Sequence, residues 1–175
     1  MTERELEEYK ALRATIQQRG SVRSCVFMAG LAAWALVALA ATFVSIPLIT
    51  VLPLVLLAGT FEAVFALHVG VERIGRYLQV FYDDHWEQTA MAFGAPLVGT
   101  GSDPLFAMFF GLATMCNFAP VLLAEPVRVE LVIIGGAHAL FVIRLVVARQ
   151  VARRQRAADL ERFRNMRNDD QRRTR

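Results

Sequence analysis

The chain has 175 residues, 55% of them hydrophobic, a mean hydropathy of +0.41 and a formal net charge of +3. That length suits one ordinary domain, but the apolar residues gather into long runs separated by charge, a pattern that excludes a simple water-soluble globule. Two cysteines are too few for a disulfide scaffold.

The leader, residues 1–23, holds Glu3, Glu5, Glu7 and Glu8 together with five basic residues. Tyr9, Leu12 and Ile16 recur at helical spacing, with Leu6 close by, so an amphipathic helix is predicted. The first apolar run, 24–46, carries no charge. A secretory signal is the rival reading of this run, because "ALAA" at Ala38 to Ala41 looks like a cleavage site. The acidic leader argues for an uncleaved anchor instead, since a signal peptide needs a short basic one. The second run, 47–71, contains Glu62 and His68, and Pro53 is expected to kink it. Residues 72–103 form a polar middle segment. The third run, 104–124, opens on Asp103-Pro104, a cap and first-turn pair, and Pro120 is expected to kink it. Glu125-Pro126 plays the same part for the fourth run, 126–148. That run holds Arg128, Glu130, His138 and Arg144, and its charges make it the weakest of the four. The basic tail, 149–175, places Ala157, Leu160 and Phe163 in another helical row.

About 20 apolar residues cross a bilayer core of about 30 Å. Four runs of that length predict an all-α fold: a four-transmembrane-helix bundle with cytoplasmic N- and C-terminal amphipathic helices. Seventeen of the nineteen Lys and Arg residues fall on one side if four spans alternate. The positive-inside rule then predicts a multi-pass protein of the bacterial inner membrane with both termini in the cytoplasm. The acidic tip Glu3 to Glu8 is expected beside Arg162, Arg164 and Arg167 in an antiparallel leader–tail pair. The alternative is that the tail lies on anionic lipid headgroups. Nucleic acid is not an expected partner, for there is no recognition fold.

Depth brings the intramembrane polar residues together. Glu62 is 15 residues from Pro47; His138 and Arg144 are 11 and 17 from Val127. Glu62 and Arg144 therefore differ by about 3 Å in depth, and Glu62 and His138 by about 6 Å. Asn117 and Thr114 lie seven and ten residues from Ala124 on the third run. A buried charge in lipid is costly unless paired, so a Glu62–Arg144 pair with His138 and Asn117 nearby is expected. Such a set either lines an ion or proton path or fastens the bundle; snorkelling of Arg144 to the inner surface is a third arrangement. Small-residue rows at Gly59/Ala63 and Gly135/Ala139 fit helix packing within the chain or in a homo-oligomer. A channel needs several copies, since four helices leave no wide pore. Membership of a larger membrane complex is the other partnership expected.

No cofactor is expected. His68 and His138 differ by about 15 Å in depth, too far for one bis-histidine haem, and there is no CxxCH. "GTGSD" at Gly99 to Asp103 lacks the lysine of a phosphate loop. Cys25 and Cys116 differ by about 15 Å in depth and are expected as free thiols packed like small apolar residues. The middle segment offers Asp83, Asp84, His85 and Glu87, a metal or binding patch with one histidine; a solvated loop anchored by Trp86 is the alternative. No nucleophile accompanies these carboxylates, so an enzyme is not the favoured reading. Glu72 and Arg76 make a helical ion pair, and Tyr77, Phe81, Tyr82 and Trp86 an aromatic belt.

The segment "ERIGRYLQVFYDDHWE" after the second run, with "EYKALRATIQQR" in the leader, resembles a segment of small uncharacterised bacterial four-helix integral membrane proteins. That resemblance implies the four-span topology and carries no settled activity. The functions expected are an oligomeric channel or transport-related protein, or a non-enzymatic structural or accessory subunit.

Overall fold

A computed structural model of the chain describes residues 2–44, 46–82, 89, 104–124 and 126–173. These form α1 (Glu3–Thr42), a 3₁₀ turn (Pro47–Thr50), α2 (Val51–Phe81), α3 (Pro104–Leu123) and α4 (Arg128–Arg173). No strand occurs among the described residues. By length and composition α1, α4 and the helix running Pro47–Phe81 can each cross a membrane. The apolar stretch of α3, Met108–Leu123, is shorter. α4 qualifies as a candidate span although Arg144 lies within its apolar part, and α3, with 20 uncharged residues, is no weaker by composition.

The leader and first run, expected as separate elements, are one helix, as are the fourth run and the tail. No proline interrupts either, and Gly20 alone does not break the first. A capping box starts α1: Glu5 N–H donates to Thr2 Oγ1 at 3.3 Å, and Thr2 N–H to Glu5 Oε2 at 2.6 Å. Pro53 makes no mid-helix kink. It falls in the first turn of α2, where its missing N–H is not needed. Pro120 does lie inside α3. At the start of α4, Glu130 accepts from Val127 N–H at 3.2 Å, a carboxylate cap from within the first turn; Glu125 lies outside the described residues.

The chain divides into two compact units. The apolar unit holds 24–65 and 102–149. Its core joins Leu54, Leu57 and Phe61 of α2, Phe110 and Ala113 of α3, and Phe141 and Leu145 of α4, with Phe27 and Leu31 of α1 against them. Phe61 is the hub, packed edge-on against Phe110 at 5.2 Å and Phe141 at 5.9 Å. Leu36, Leu122, Val132 and Leu140 are among many exposed large apolar residues on this unit, a surface that suits a membrane better than water. Gly30 faces Thr60 so closely that a Cβ there would stand 2.1 Å from Thr60 Cγ2, so α1 approaches α2 only because Gly30 has no side chain.

The polar unit holds 1–23, 66–101 and 150–175. Its leader and tail both pack on the end of α2. Tyr9 meets Tyr82 at 5.6 Å, Phe163 meets Tyr77 at 5.7 Å, and Tyr77 Oη donates to Glu8 Oε1 at 3.0 Å. Arg167 donates to the Val80 carbonyl. Among the described residues no ion pair joins the acidic tip to Arg162, Arg164 or Arg167; the expected leader–tail pair is a three-helix arrangement mediated by α2. The covered stripe of the tail runs through Ala152, Arg156, Asp159, Phe163 and Arg167, while Ala157 is exposed. A buried aspartate displaces the apolar row, and the reason is its partner, Arg76.

Candidate functional site

The polar residues of the apolar runs form two separate sites in the apolar unit. Asn117, 3% exposed, projects from α3. Its Oδ1 accepts from Trp34 Nε1 of α1 at 3.3 Å, and its Nδ2 donates to the Thr50 carbonyl at 2.9 Å and to His138 Nε2 of α4 at 3.0 Å. His138, 6% exposed, contacts the Ile134 carbonyl through Nδ1 at 2.7 Å. A carbonyl only accepts, so the His138 proton is on Nδ1 and Nε2 is an acceptor. These partners also fix the orientation of the Asn117 amide. Both amide hydrogens of Asn117, its oxygen and both ring nitrogens of His138 have partners, and the network ties α1, the 3₁₀ turn, α3 and α4 together. Neither Trp34 nor Thr50 announces this role in sequence; a lone tryptophan in an alanine-rich run is the only trace. Thr114, also buried, donates to the Phe110 carbonyl of its own helix at 2.6 Å.

Glu62 and Arg144 make the second site. Arg144 Nη2 lies 2.7 Å from Glu62 Oε2, and Nε 2.7 Å from Oε1, a two-pronged pair. The Arg144 guanidinium lies over Phe65 at 5.2 Å and Phe61 at 5.7 Å. Those rings and the Glu62 carboxylate together hold the guanidinium against α2. The pair faces outward: the Glu62 side chain is 49% exposed and that of Arg144 36%. No hydrogen bond or ion pair among the described residues joins it to His138 or Asn117. The four residues therefore do not converge on one path.

Beside Asn117 the ends of α1, α3 and the 3₁₀ turn leave two adjacent hollows of about 240 and 710 Å³. Thr42, Thr50, Cys116 and Pro120 line both, and no described lining residue is charged. Thr42 and Thr50 donate to carbonyls of their own segments. Pro120 lacks an N–H, so α3 forgoes one intrahelical hydrogen bond beside these hollows. Cys25 and Cys116 are free, but both are exposed rather than packed in the interior as expected. A thiol is apolar enough to face lipid.

The polar unit carries an unexpected buried charge chain. Arg76, 1% exposed, donates from Nη2 to Glu72 Oε2 and from Nη1 to Asp159 Oδ2 at 2.8 Å. Arg73 Nε reaches the same Asp159 oxygen at 3.4 Å. Glu72 also lies 3.7 Å from His68 Nε2, and Arg23 Nη1 lies 3.0 Å from His68 Nδ1. Arginine only donates, so Nδ1 accepts and the His68 proton faces Glu72. The expected Glu72–Arg76 pair is one link of a chain across three helices. Burial, then the hydrogen bond and charge of Glu8, push the Tyr77 hydroxyl up to about 12 from its ordinary 10.

Asp83, Asp84, His85 and Glu87 lie outside the described residues, as does Trp86. Among the described residues no group of three or more His, Cys, Asp or Glu side chains is placed to hold a metal ion. His68 belongs to the polar unit and His138 to the apolar one. No protein-family model, curated protein or solved structure matches this chain.

Proposed function

We propose that this chain is a multi-pass protein of a bacterial inner membrane, with four spans and both ends cytoplasmic, and that it serves as a non-enzymatic structural or accessory subunit of a membrane complex. The observation that carries this reading is the closure of the Asn117 network. A proton or ion path needs groups that exchange partners with water, whereas Asn117 and His138 spend their hydrogen-bonding capacity on four segments of the same bundle. The Glu62–Arg144 fork is likewise matched charge to charge. Such groups fasten helices. Three apolar helices of sufficient length support the membrane assignment. The 20 residues of α3 span about 30 Å, the thickness of the hydrocarbon core, which supports a fourth crossing. An even count keeps the basic residues of the leader, middle segment and tail on one side.

An oligomeric channel or transport-related assembly is the second reading. The outward exposure of Glu62 and Arg144 favours it, because several copies would enclose the pair. Proteoliposomes separate the two. The accessory reading expects ion and proton flux no greater than in empty vesicles. Wild-type flux abolished by Glu62→Gln would overturn it. A tag after Arg175 should resist a reagent confined to the periplasm; labelling there would refute the topology.

A further inference from the structure

We infer that the Glu62–Arg144 pair marks a contact face for a second copy of this chain, formed by the exposed sides of α2 and α4. This rests on both helices crossing the bilayer, and it goes beyond the proposed function by naming the partner.

The first reason is unspent hydrogen-bonding capacity. The fork uses one lone pair on each Glu62 oxygen and two of the five guanidinium hydrogens. The remainder points to the outside of the apolar unit, where Val55, Ala63, Leu140 and Val147 are also exposed. Lipid tails offer neither donors nor acceptors. Headgroups are out of reach of the Glu62 carboxylate, which lies 15 residues past Pro47 and eight before Gly70, about 22 and 12 Å along the helix. Arg144 is turned to that carboxylate.

The second reason is charge complementarity. Copies inserted in the same direction are related by a two-fold axis along the membrane normal. That axis reverses every in-plane dipole. Glu62 of one copy is then turned toward Arg144 of the other, and the pair is complementary to itself. The third reason is clearance. A Cβ built at Gly59 of α2 or Gly136 of α4 meets nothing within 4 Å, whereas the space at Gly30 is filled by Thr60. Gly59 lies one turn from Glu62 and Gly136 two turns from Arg144, so a neighbouring helix can come close on the same face.

The test is thiol cross-linking in native membranes with Cys25 and Cys116 replaced by serine. Ala63→Cys, on the proposed face, should be joined by a short bis-maleimide into a species of twice the 19.5 kDa protomer. Met115→Cys, exposed on α3, should stay monomeric. Adding Glu62→Arg should lower the joined fraction about five-fold, the effect of an interhelical polar contact of about 1 kcal/mol. Adding Arg144→Glu to that variant should restore it. Equal joining at positions 63 and 115, or none at 63, would overturn the proposal while leaving the membrane assignment intact. Extraction of the chain without detergent would refute the membrane assignment itself, and the proposal with it.

Discussion

Asn117 and His138 complete each other: the amide of one donates to Nε2 of the other at 3.0 Å, while the opposite ring nitrogen is spent on the Ile134 carbonyl. Two polar side chains on different helices thus become apolar to their surroundings. Removing either strands its partner. Asn117→Leu is expected to cost about 1–2 kcal/mol in an unfolding titration in mixed micelles, and His138→Leu a similar amount. The double variant should cost less than their sum, because the Asn117–His138 bond is lost once and neither of the two is left facing the other's absence. Trp34 Nε1 and the Thr50 carbonyl still lose their partner. Strict additivity would show that the two do not act as a unit.

The contact between Gly30 and Thr60 gives a sharper test, since it depends on shape alone. A Cβ at residue 30 would lie 2.1 Å from Thr60 Cγ2 and 2.8 Å from Thr60 Cβ, so both helices must move apart. Gly30→Ala should destabilise the bundle by about 1–3 kcal/mol. Gly135→Ala, where a Cβ meets nothing within 4 Å, should be close to neutral. Thr60→Gly should recover part of the Gly30→Ala loss. Equal effects at residues 30 and 135 would refute the close approach.

Some of this organisation was legible in the residues and some was not. Apolar run length marks the helices, because long uninterrupted apolar runs bury their backbone groups best as helix. Depth counted from Pro47 and Val127 brings Glu62 level with Arg144, because the helical rise is constant. The same count misleads for His138, which is near in depth but on the buried side of α4. Depth carries no azimuth, and azimuth depends on which helices are neighbours. The partners of Asn117 were invisible for a related reason: Trp34 and a backbone carbonyl at Thr50 are set by packing across 83 and 67 residues. Gly59 and Gly135 look like packing glycines by spacing, yet Gly30, outside both rows, makes the close contact. Asp159 reads as a solvated charge until Arg76 is seen to be buried against it.

Arg76 holds two carboxylates from different helices, and its loss leaves both facing a protein interior. Arg76→Leu should destabilise the polar unit by about 3–5 kcal/mol, seen as faster proteolysis of the tail. Arg76→Lys should rescue little, because a single ammonium cannot reproduce two guanidinium contacts that diverge to Glu72 and Asp159. Pairing Arg76→Leu with Asp159→Asn should recover part of the loss. Wild-type protease resistance in Arg76→Leu would remove the charge chain from any account of this unit.

Tyr77 predicts a dependence on alkaline pH. Its hydroxyl is raised to about 12 in the fold, first by burial and then by donation to Glu8. The folded state therefore holds this proton more tightly than the unfolded chain, whose tyrosines titrate near 10. The resulting stabilisation is complete below about pH 10 and is lost as pH climbs toward about 12. Thermal unfolding of wild type should fall more steeply over that interval than that of Tyr77→Phe, which has no proton to lose. Parallel curves would exclude a role for this hydroxyl.

The Glu62–Arg144 fork can be tested apart from any assembly by measuring stability in a detergent that keeps the chain monomeric. In the proposed four-span arrangement Glu62→Gln leaves an uncompensated guanidinium at membrane depth, which insertion energetics value at about 3 kcal/mol near the helix centre. Part of that cost is relieved by the faces of Phe61 and Phe65 beneath the cation. The variant should therefore be destabilised by about 1–3 kcal/mol. Arg144→Leu in the same chain should restore part of the loss, since a neutral glutamine beside leucine costs less than a lone cation in hydrocarbon. The aromatic rings add a second arm: Phe65→Ala should make Glu62→Gln more damaging, because the exposed guanidinium then loses its remaining support. If Glu62→Gln and Arg144→Leu simply add, the fork contributes no coupling and each group is stabilised by something other than its partner.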